Sequence, residues 1–159
     1  LLETLPNWKA DQWQQVAESL LGEEHSVQLA EARLTLDAPH LAHLFAEGTL
    51  GEVPLSAPSK ALSARLHGIV DRLVISEDDV LIVDYKTNRV IPARAVDTPL
   101  GLLKQMGAYA EAAALIWPKH KINTAILWTR TAELMPLDHD LVIAALNDTP
   151  HLDVARLAT

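Results

Sequence analysis

A chain of 159 residues, 49% apolar and 21% charged, is long enough to bury a core of its own in ordinary globular proportions. No apolar run approaches the roughly 18 residues of a membrane span, and the absence of cysteine excludes disulfides, thiolate catalysis, zinc–thiolate sites and iron–sulfur ligation. A cytoplasmic location fits that composition. Thirteen basic against 21 acidic side chains give a net charge of −8, which taken whole argues against a nucleic-acid-binding module.

In chain order, Leu1, Leu2 and Leu5 before Pro6 read as the end of an interrupted helix. With no initiating methionine and no signal-peptide pattern, the chain reads as a fragment of a longer polypeptide. Asn7 is placed to cap a helix from Trp8 to Leu21, closed by Gly22. A second helix is expected over Val27–Leu36, and a short third over Ala38–Glu47, with Asp37 before it, Pro39 in its first turn and Gly48 as its stop. Glu52–Ala57 reads as an edge strand, because Pro54 cannot donate to a ladder. Leu66–Ile75 and Val80–Thr87 are strands around the polar turn Ser76–Asp79. A helix over Gly101–Ile116 stops before Pro118, followed by strands at Lys121–Thr129 and Glu133–Leu137 and a helix over Asp138–Leu146. The tail from Thr149 carries little signal. A meander of three strands and one crossover helix predicts an α/β fold with a mixed sheet flanked by helices, αβββαβ, preceded by an extra N-terminal helical segment. The expected division is a single domain, with a helical segment at 1–48, a core at 49–130 and a C-terminal appendage at 131–159.

Each of the two central strands carries an acid among β-branched residues: Gly68-Ile69-Val70-Asp71-Arg72 and Ile82-Val83-Asp84-Tyr85-Lys86-Thr87. If Ser76 faces Asp79 across the turn, Asp71 faces Asp84 on one face with Cβ atoms about 5 Å apart. Lys86 shares that face, because side chains alternate with period two. Regular alternation also puts His67 on the face of Asp71. Two facing carboxylates repel and resist burial unless a cation lies between them. Oxygen donors suit Mg²⁺ (or Mn²⁺), which binds through few carboxylates and keeps waters for phosphate chemistry, and a neighbouring lysine stabilises charge on a phosphate. The plainer alternative is a strand-end salt bridge from Asp71 to Arg72 or Lys86. His40 and His43, three apart, read as helix-surface polarity. Trp8, Trp13, Trp117 and Trp128 read as packing residues rather than base-stacking ones.

The series Gly68-Ile69-Val70-Asp71-Arg72, Ile82-Val83-Asp84-Tyr85-Lys86-Thr87 and Gln105-(three residues)-Tyr109 resembles the RecB-like branch of the PD-(D/E)XK nuclease superfamily. Together with Leu1-Leu2-Glu3-Thr4-Leu5-Pro6 and Gly51-Glu52-Val53-Pro54-Leu55, it resembles more narrowly the C-terminal nuclease domain of AddA-type helicase–nucleases. The resemblance implies a restriction-endonuclease-like core and hydrolysis of DNA phosphodiester bonds, in enzymes that process double-strand ends for recombinational repair. It implies Asp71, Asp84 and the Tyr85 carbonyl as metal ligands for Mg²⁺ or Mn²⁺, and Lys86 with the two aspartates as catalytic. Gln105 and Tyr109, at i and i+4 on one helix face, are implied near the substrate, with Glu52 as a further contact or outer ligand; a solvated helix pair and an edge-strand acid are the alternatives. Implied partners are DNA single strands, the helicase portion of the same parent chain and an AddB-type subunit. ATP would serve only the motor part of the parent, for no phosphate-binding Gly-x-x-x-x-Gly-Lys-Ser/Thr loop is present here. The family histidine expected ahead of Leu1 lies outside this sequence, so weak cleavage by the isolated fragment is expected.

Two other functions remain open on sequence: a non-catalytic docking module that kept the fold, and a Mg²⁺-dependent phosphohydrolase of small molecules. Charge is unevenly spread, however. Residues 84–130 carry seven basic and three acidic side chains, and Lys86, Arg89, Arg94, Lys104, Lys119, Lys121 and Arg130 are expected to line a phosphate path.

Overall fold

The computed structural model of the chain describes residues 1–22 and 25–148. The expected tail from Thr149 lies outside the described residues. Five strands, β1 (Leu50–Ser59), β2 (Ala64–Ile75), β3 (Asp79–Lys86), β4 (Lys121–Trp128) and β5 (Glu133–Leu137), form one sheet in sequential order. Neighbours are antiparallel except β3 and β4, which run parallel. Helix α3 (Leu100–Ile116) connects that parallel pair, as a parallel connection requires a crossover.

The sheet is the middle of three layers. On one face, Leu66, Val70, Leu73, Val80 and Ile82 meet the alanine-rich α3 and helix α4 (His139–Asn147). On the other, Val83, Ala125 and Leu127 meet Leu41 and Leu44. Helices α1 (Trp13–Leu21) and α2 (His25–Leu36) close a smaller cluster around Leu5, Trp13, Ala17 and Leu29. The segment expected as an appendage is continuous with this core: β5 pairs with β4, and Met135, Leu137, Val142 and Leu146 are buried among the α3-side residues.

Several expected elements differ in the N-terminal segment. The first α-helix starts at Trp13, not Trp8, because Leu5–Asn7 and Ala10–Gln12 are separate 3-10 turns. Asn7 is no cap; its amide donates to the Glu3 carbonyl at 3.3 Å. Trp8 is 49% exposed, against the expectation that it packs, whereas Trp13 and Trp128 are buried. The helix expected over Ala38–Glu47 is a 3-10 helix, Pro39–Leu44. With three residues per turn, Leu41 and Leu44 eclipse one another and both bury fully. His40 caps a contact with β5's approach, its Nε2 lying 2.9 Å from the Ala132 carbonyl.

Helices α3 and α4 cross at Gly107. A Cβ there would lie 2.2 Å from the Val142 carbonyl oxygen, so the two backbones are in direct contact. Gly107→Ala is therefore expected to destabilise the fold by about 1–3 kcal/mol, since the obstacle is backbone and not a flexible side chain. Urea denaturation checks this, with Gly101→Ala, where nothing lies within 4 Å, as the control.

Candidate active site

The β2–β3 hairpin has the expected register. Ser76 N–H donates to the Asp79 carbonyl at 2.9 Å, and the ladder runs from Ile75↔Val80 to Arg72↔Val83. The next pair would be Asp71 and Asp84, and there the strands part. The Tyr85 N–H, which a regular ladder would direct to the β2 backbone, donates instead to Asp71 Oδ2 at 2.6 Å. A side chain thus replaces the strand, and the gap between β2 and β3 opens at the two acids.

Strand alternation breaks at the same level. Val70 and Leu73 both lie in the α3-side core, and the intervening Arg72 is buried on the opposite side of the sheet. His67 and Asp71 nevertheless border the same cleft, so the expected nearness of the two does not depend on regular alternation. On β1, Glu52 sits opposite Asp71 between the pairs Gly51↔Arg72 and Val53↔Val70, in a left-handed conformation with φ 50°. A non-glycine residue held there costs about 1–2 kcal/mol, and the neighbouring pairs on both sides enforce it.

Asp84, on β3, is buried. Its Oδ2 lies 2.6 Å from Lys86 Nζ, two residues along the same strand. Its Oδ1 accepts from Gln105 Nε2 at 3.3 Å, and the same amide reaches the Tyr109 hydroxyl at 3.3 Å. Tyr109 in turn donates to the Ile69 carbonyl at 3.1 Å, with its ring against Gly68, where a Cβ would come within 2.6 Å of it. One helix turn of α3 therefore ties Asp84 to β2 through the gap. Burial pushes the pKa of Asp71 up, and the nearby Asp84 charge adds to this, while the Tyr85 N–H opposes it. Burial likewise raises Asp84, against the opposing pull of Lys86.

These groups face a cleft of about 570 Å³ whose walls include Asp71, Asp84, Tyr85, Lys86, Gln105 and Tyr109. Six of the seven expected site residues are therefore brought together. Glu52 does not line the cleft, though its charge is close enough to oppose ionisation of Asp71. The opposite wall, Pro54, Ser56, His67, Gly68 and Ile69, was not singled out as a group on sequence. The exposed parity of the β1–β2 hairpin was the signal for it.

The plain salt bridge from Asp71 to Arg72 does not form. Arg72 lies behind the sheet, only 5% exposed, donating to the Leu2 carbonyl (3.1 Å), to Glu3 Oε2 (3.2 Å) and to the Tyr85 hydroxyl (3.0 Å), with its guanidinium 5.1 Å from the Phe45 ring centre. The Tyr85 side chain is thus fixed away from the acids, and its main chain borders the cleft. Burial outweighs Arg72 at Glu3, whose pKa is raised to about 7.

The expected phosphate path is not continuous. Lys121 pairs with Asp79 and Trp128 with Lys86, so Lys121 lies at the far end of the sheet, about 23 Å from Lys86 at 3.3 Å per residue. Arg94 pairs with Asp97 at 2.8 Å and Arg130 with Glu31 at 3.5 Å. Lys86 itself is engaged by Asp84.

Among the described residues, no group of three or more His, Cys, Asp or Glu side chains converges to hold a metal. The donor set on offer is smaller and harder: the buried Asp84 carboxylate and the half-buried Asp71 carboxylate from adjacent strands, and the Tyr85 carbonyl on the side of β3 that β2 has left. That set fits a small divalent cation that retains waters. A mixed sheet flanked by helices, with Asp and Asp-x-Lys meeting where two strands separate, defines a metal-dependent phosphodiesterase of the nuclease type. Residues 2–155 match the PD-(D/E)XK nuclease superfamily, and the chain belongs to that superfamily. Comparison with curated proteins returned no match. The superfamily generally uses divalent ions such as Mg²⁺ or Mn²⁺. No helix among the described residues is long and apolar enough to cross a membrane.

Proposed function

We propose that the chain is the nuclease domain of an AddA-type helicase–nuclease, a Mg²⁺- or Mn²⁺-dependent exonuclease acting on DNA single strands released from double-strand ends. The helicase portion of the parent chain would supply ATP-driven unwinding, with an AddB-type subunit as partner and the cytoplasm as its location. One observation carries the catalytic part of this reading: Asp84 is held at once by Lys86 and Gln105, beside an Asp71 that has left the ladder to face it. The Leu1–Pro6 and Gln105-(three residues)-Tyr109 motifs support the narrower family placement.

In this reading Asp71, Asp84 and the Tyr85 carbonyl hold the ion, which when bound neutralises phosphate charge and acidifies water. Lys86 sits at the cleft rim, where its ammonium offsets charge developing on the phosphate oxygens. Gln105 holds Asp84 Oδ1 and so fixes the orientation of the carboxylate, and Tyr109 fixes Gln105. Glu52 shapes the field at Asp71 from outside the cleft.

A stability measurement tests the metal assignment independently of cleavage. Asp71 and Asp84 both have folded pKa values raised above the ordinary 3.8. The folded state then binds protons more tightly than the unfolded one, so their contribution is fully present below about pH 3.8 and is lost as pH rises through the folded values. The metal-free protein is expected to melt at lower temperature at pH 7.5 than at pH 5, with Glu3, raised to about 7, contributing in the same direction across that window. Asp71→Asn keeps an oxygen to accept from Tyr85 but removes one charge. It is expected to melt higher than wild type in EDTA at pH 7.5, and to lose the Mn²⁺-dependent rise, about 2.7 kcal/mol at 100 times Kd in the wild type. Equal Mn²⁺ shifts in both proteins would remove Asp71 from the ligand set.

A further inference from the structure

Beyond Asp71, β2 continues for seven residues paired only with β1, as a two-stranded arm beside the cleft. Its register, Pro54↔Ile69, Ser56↔His67 and Pro58↔Arg65, sets six side chains in three cross-strand pairs, all of them exposed. The alternate residues Leu55, Ala57 and Leu66 are buried toward α3. Four of the six exposed residues, Pro54, Ser56, His67 and Ile69, also line the cleft that holds Asp71, Asp84 and Lys86.

We propose that this arm is the track on which a DNA single strand enters the cleft, with Ile69 and Pro54 forming a platform for the base beside it and His67 and Arg65 contacting the phosphates that follow. The inference rests on the nuclease reading of the cleft and adds the residues that register the strand. Ile69 is 60% exposed and lines the cleft beside Pro54, and burying such an apolar surface against the face of a base is favourable whatever the base. Prolines at 54 and 58 remove two donors from β1, which disfavours the addition of another strand at this edge. Alternate residues along the arm are about 6.7 Å apart, comparable with successive phosphates of an extended strand. Arg65 is held over the arm by a bond from its Nη1 to Ser56 Oγ at 3.2 Å, a neutral partner that leaves its charge uncompensated. Among the described residues neither Arg65 nor His67 forms an ion pair.

The arm is also fixed relative to the acids, as a registering surface must be. Tyr109 holds the Ile69 carbonyl and, through Gln105, Asp84. At the tip, the Glu111 carboxylate accepts from Ser59 Oγ and from the Lys60 N–H at 3.0 Å, anchoring the turn to α3.

The test is fluorescence anisotropy with a labelled oligonucleotide, Ca²⁺ replacing Mg²⁺, and a single abasic site walked along the strand. Ile69→Ala is expected to weaken single-strand binding about 5- to 30-fold, the order expected for loss of the apolar area that an isoleucine side chain covers. Ile69→Met, which keeps apolar surface, is expected to bind within about 2-fold of wild type. One abasic position should weaken wild type as much as Ile69→Ala does and leave the variant unchanged. Arg65→Gln should reduce the slope of log K against log salt by about 0.7. Binding by Ile69→Ala within 2-fold of wild type, or an abasic penalty undiminished in that variant, would overturn the proposal. Because Ile69 is exposed, circular dichroism and melting of the variant are expected to match wild type, so lost folding does not mimic the result. Cleavage is a separate readout: a chain that binds through Ile69 but never cuts would defeat the nuclease reading and leave the track standing, and a chain that cuts with unchanged Ile69→Ala affinity would do the reverse.

Discussion

Replacing Lys86 with alanine is expected to lower DNA cleavage by about 10²–10³-fold, and replacing Asp84 with alanine by at least as much. Lys86 Nζ lies 2.6 Å from Asp84 Oδ2 at the rim of the cleft, the position from which a cation meets a bound phosphate. Asp84 joins Lys86 on one side and Gln105 on the other, so its loss removes a ligand and releases both neighbours. In a helicase–nuclease parent both variants should keep ATP-driven unwinding, because neither residue touches a nucleotide-binding motif. Cleavage of end-labelled single strands with Mg²⁺ or Mn²⁺, read beside strand separation, checks the two halves of the claim. Calorimetric titration of Mn²⁺ separates the residues further: Asp84→Ala should lose binding, and Lys86→Ala should retain it. Cleavage that persists in both variants would remove these residues from the reaction and favour a docking module that merely kept the fold.

Arg72→Ala is expected to cost about 3–5 kcal/mol of stability. The guanidinium satisfies three acceptors from three parts of the chain, Leu2, Glu3 and Tyr85, and lies over Phe45. Its removal leaves a half-buried carboxylate and a half-buried hydroxyl without their donor. Lysine should not rescue, since a single ammonium does not span the planar fork that meets these acceptors. The loss should depend on pH in a definite direction. Glu3 has a pKa raised to about 7, so below that value it is neutral and needs Arg72 less. The destabilisation should be smaller at pH 5 than at pH 8, and adding Glu3→Gln to Arg72→Ala should recover part of it. Urea denaturation at the two pH values, with the double variant, measures this. Because Arg72 and Tyr85 flank the acids in sequence, metal affinity is expected to fall with the same substitution.

Much of the site was legible because a hairpin is a local structure. Ser76–Asp79 is a tight polar turn, and once it sets the register, every cross-strand partner up to Asp71 and Asp84 follows from residue number alone. Lys86 is equally local, two residues from Asp84 on a strand of period two. Gln105 and Tyr109 were adjacent to one another by helical spacing, but their contact with Asp84 and Ile69 depends on where α3 docks, which no local pattern states. The N-terminal segment was read least well. A run such as Pro6-Asn7-Trp8 contains a cap and a proline, yet two 3-10 turns satisfy its backbone more economically once Leu5 is buried in the α1–α2 cluster. The phosphate path failed for a related reason. Clustering in sequence is not clustering in space when a parallel strand returns to the start of its neighbour, as β4 does beside β3.

By itself the sequence determined the strands and the turn that registers β2 on β3, the lysine two residues beyond Asp84, and the superfamily to which those residues point. These follow from short-range periodicity and from one turn. Tertiary structure decided the rest: that β2 and β3 part at the acids, that the alternation of β2 breaks between Val70 and Leu73, and that Arg72 is drawn behind the sheet to Glu3 and Tyr85. The physical reason is that each of these depends on burial and hydrogen bonding between residues far apart in the chain. Gln105 meets Asp84 and Leu2 meets Arg72 only after the three layers have closed on one another.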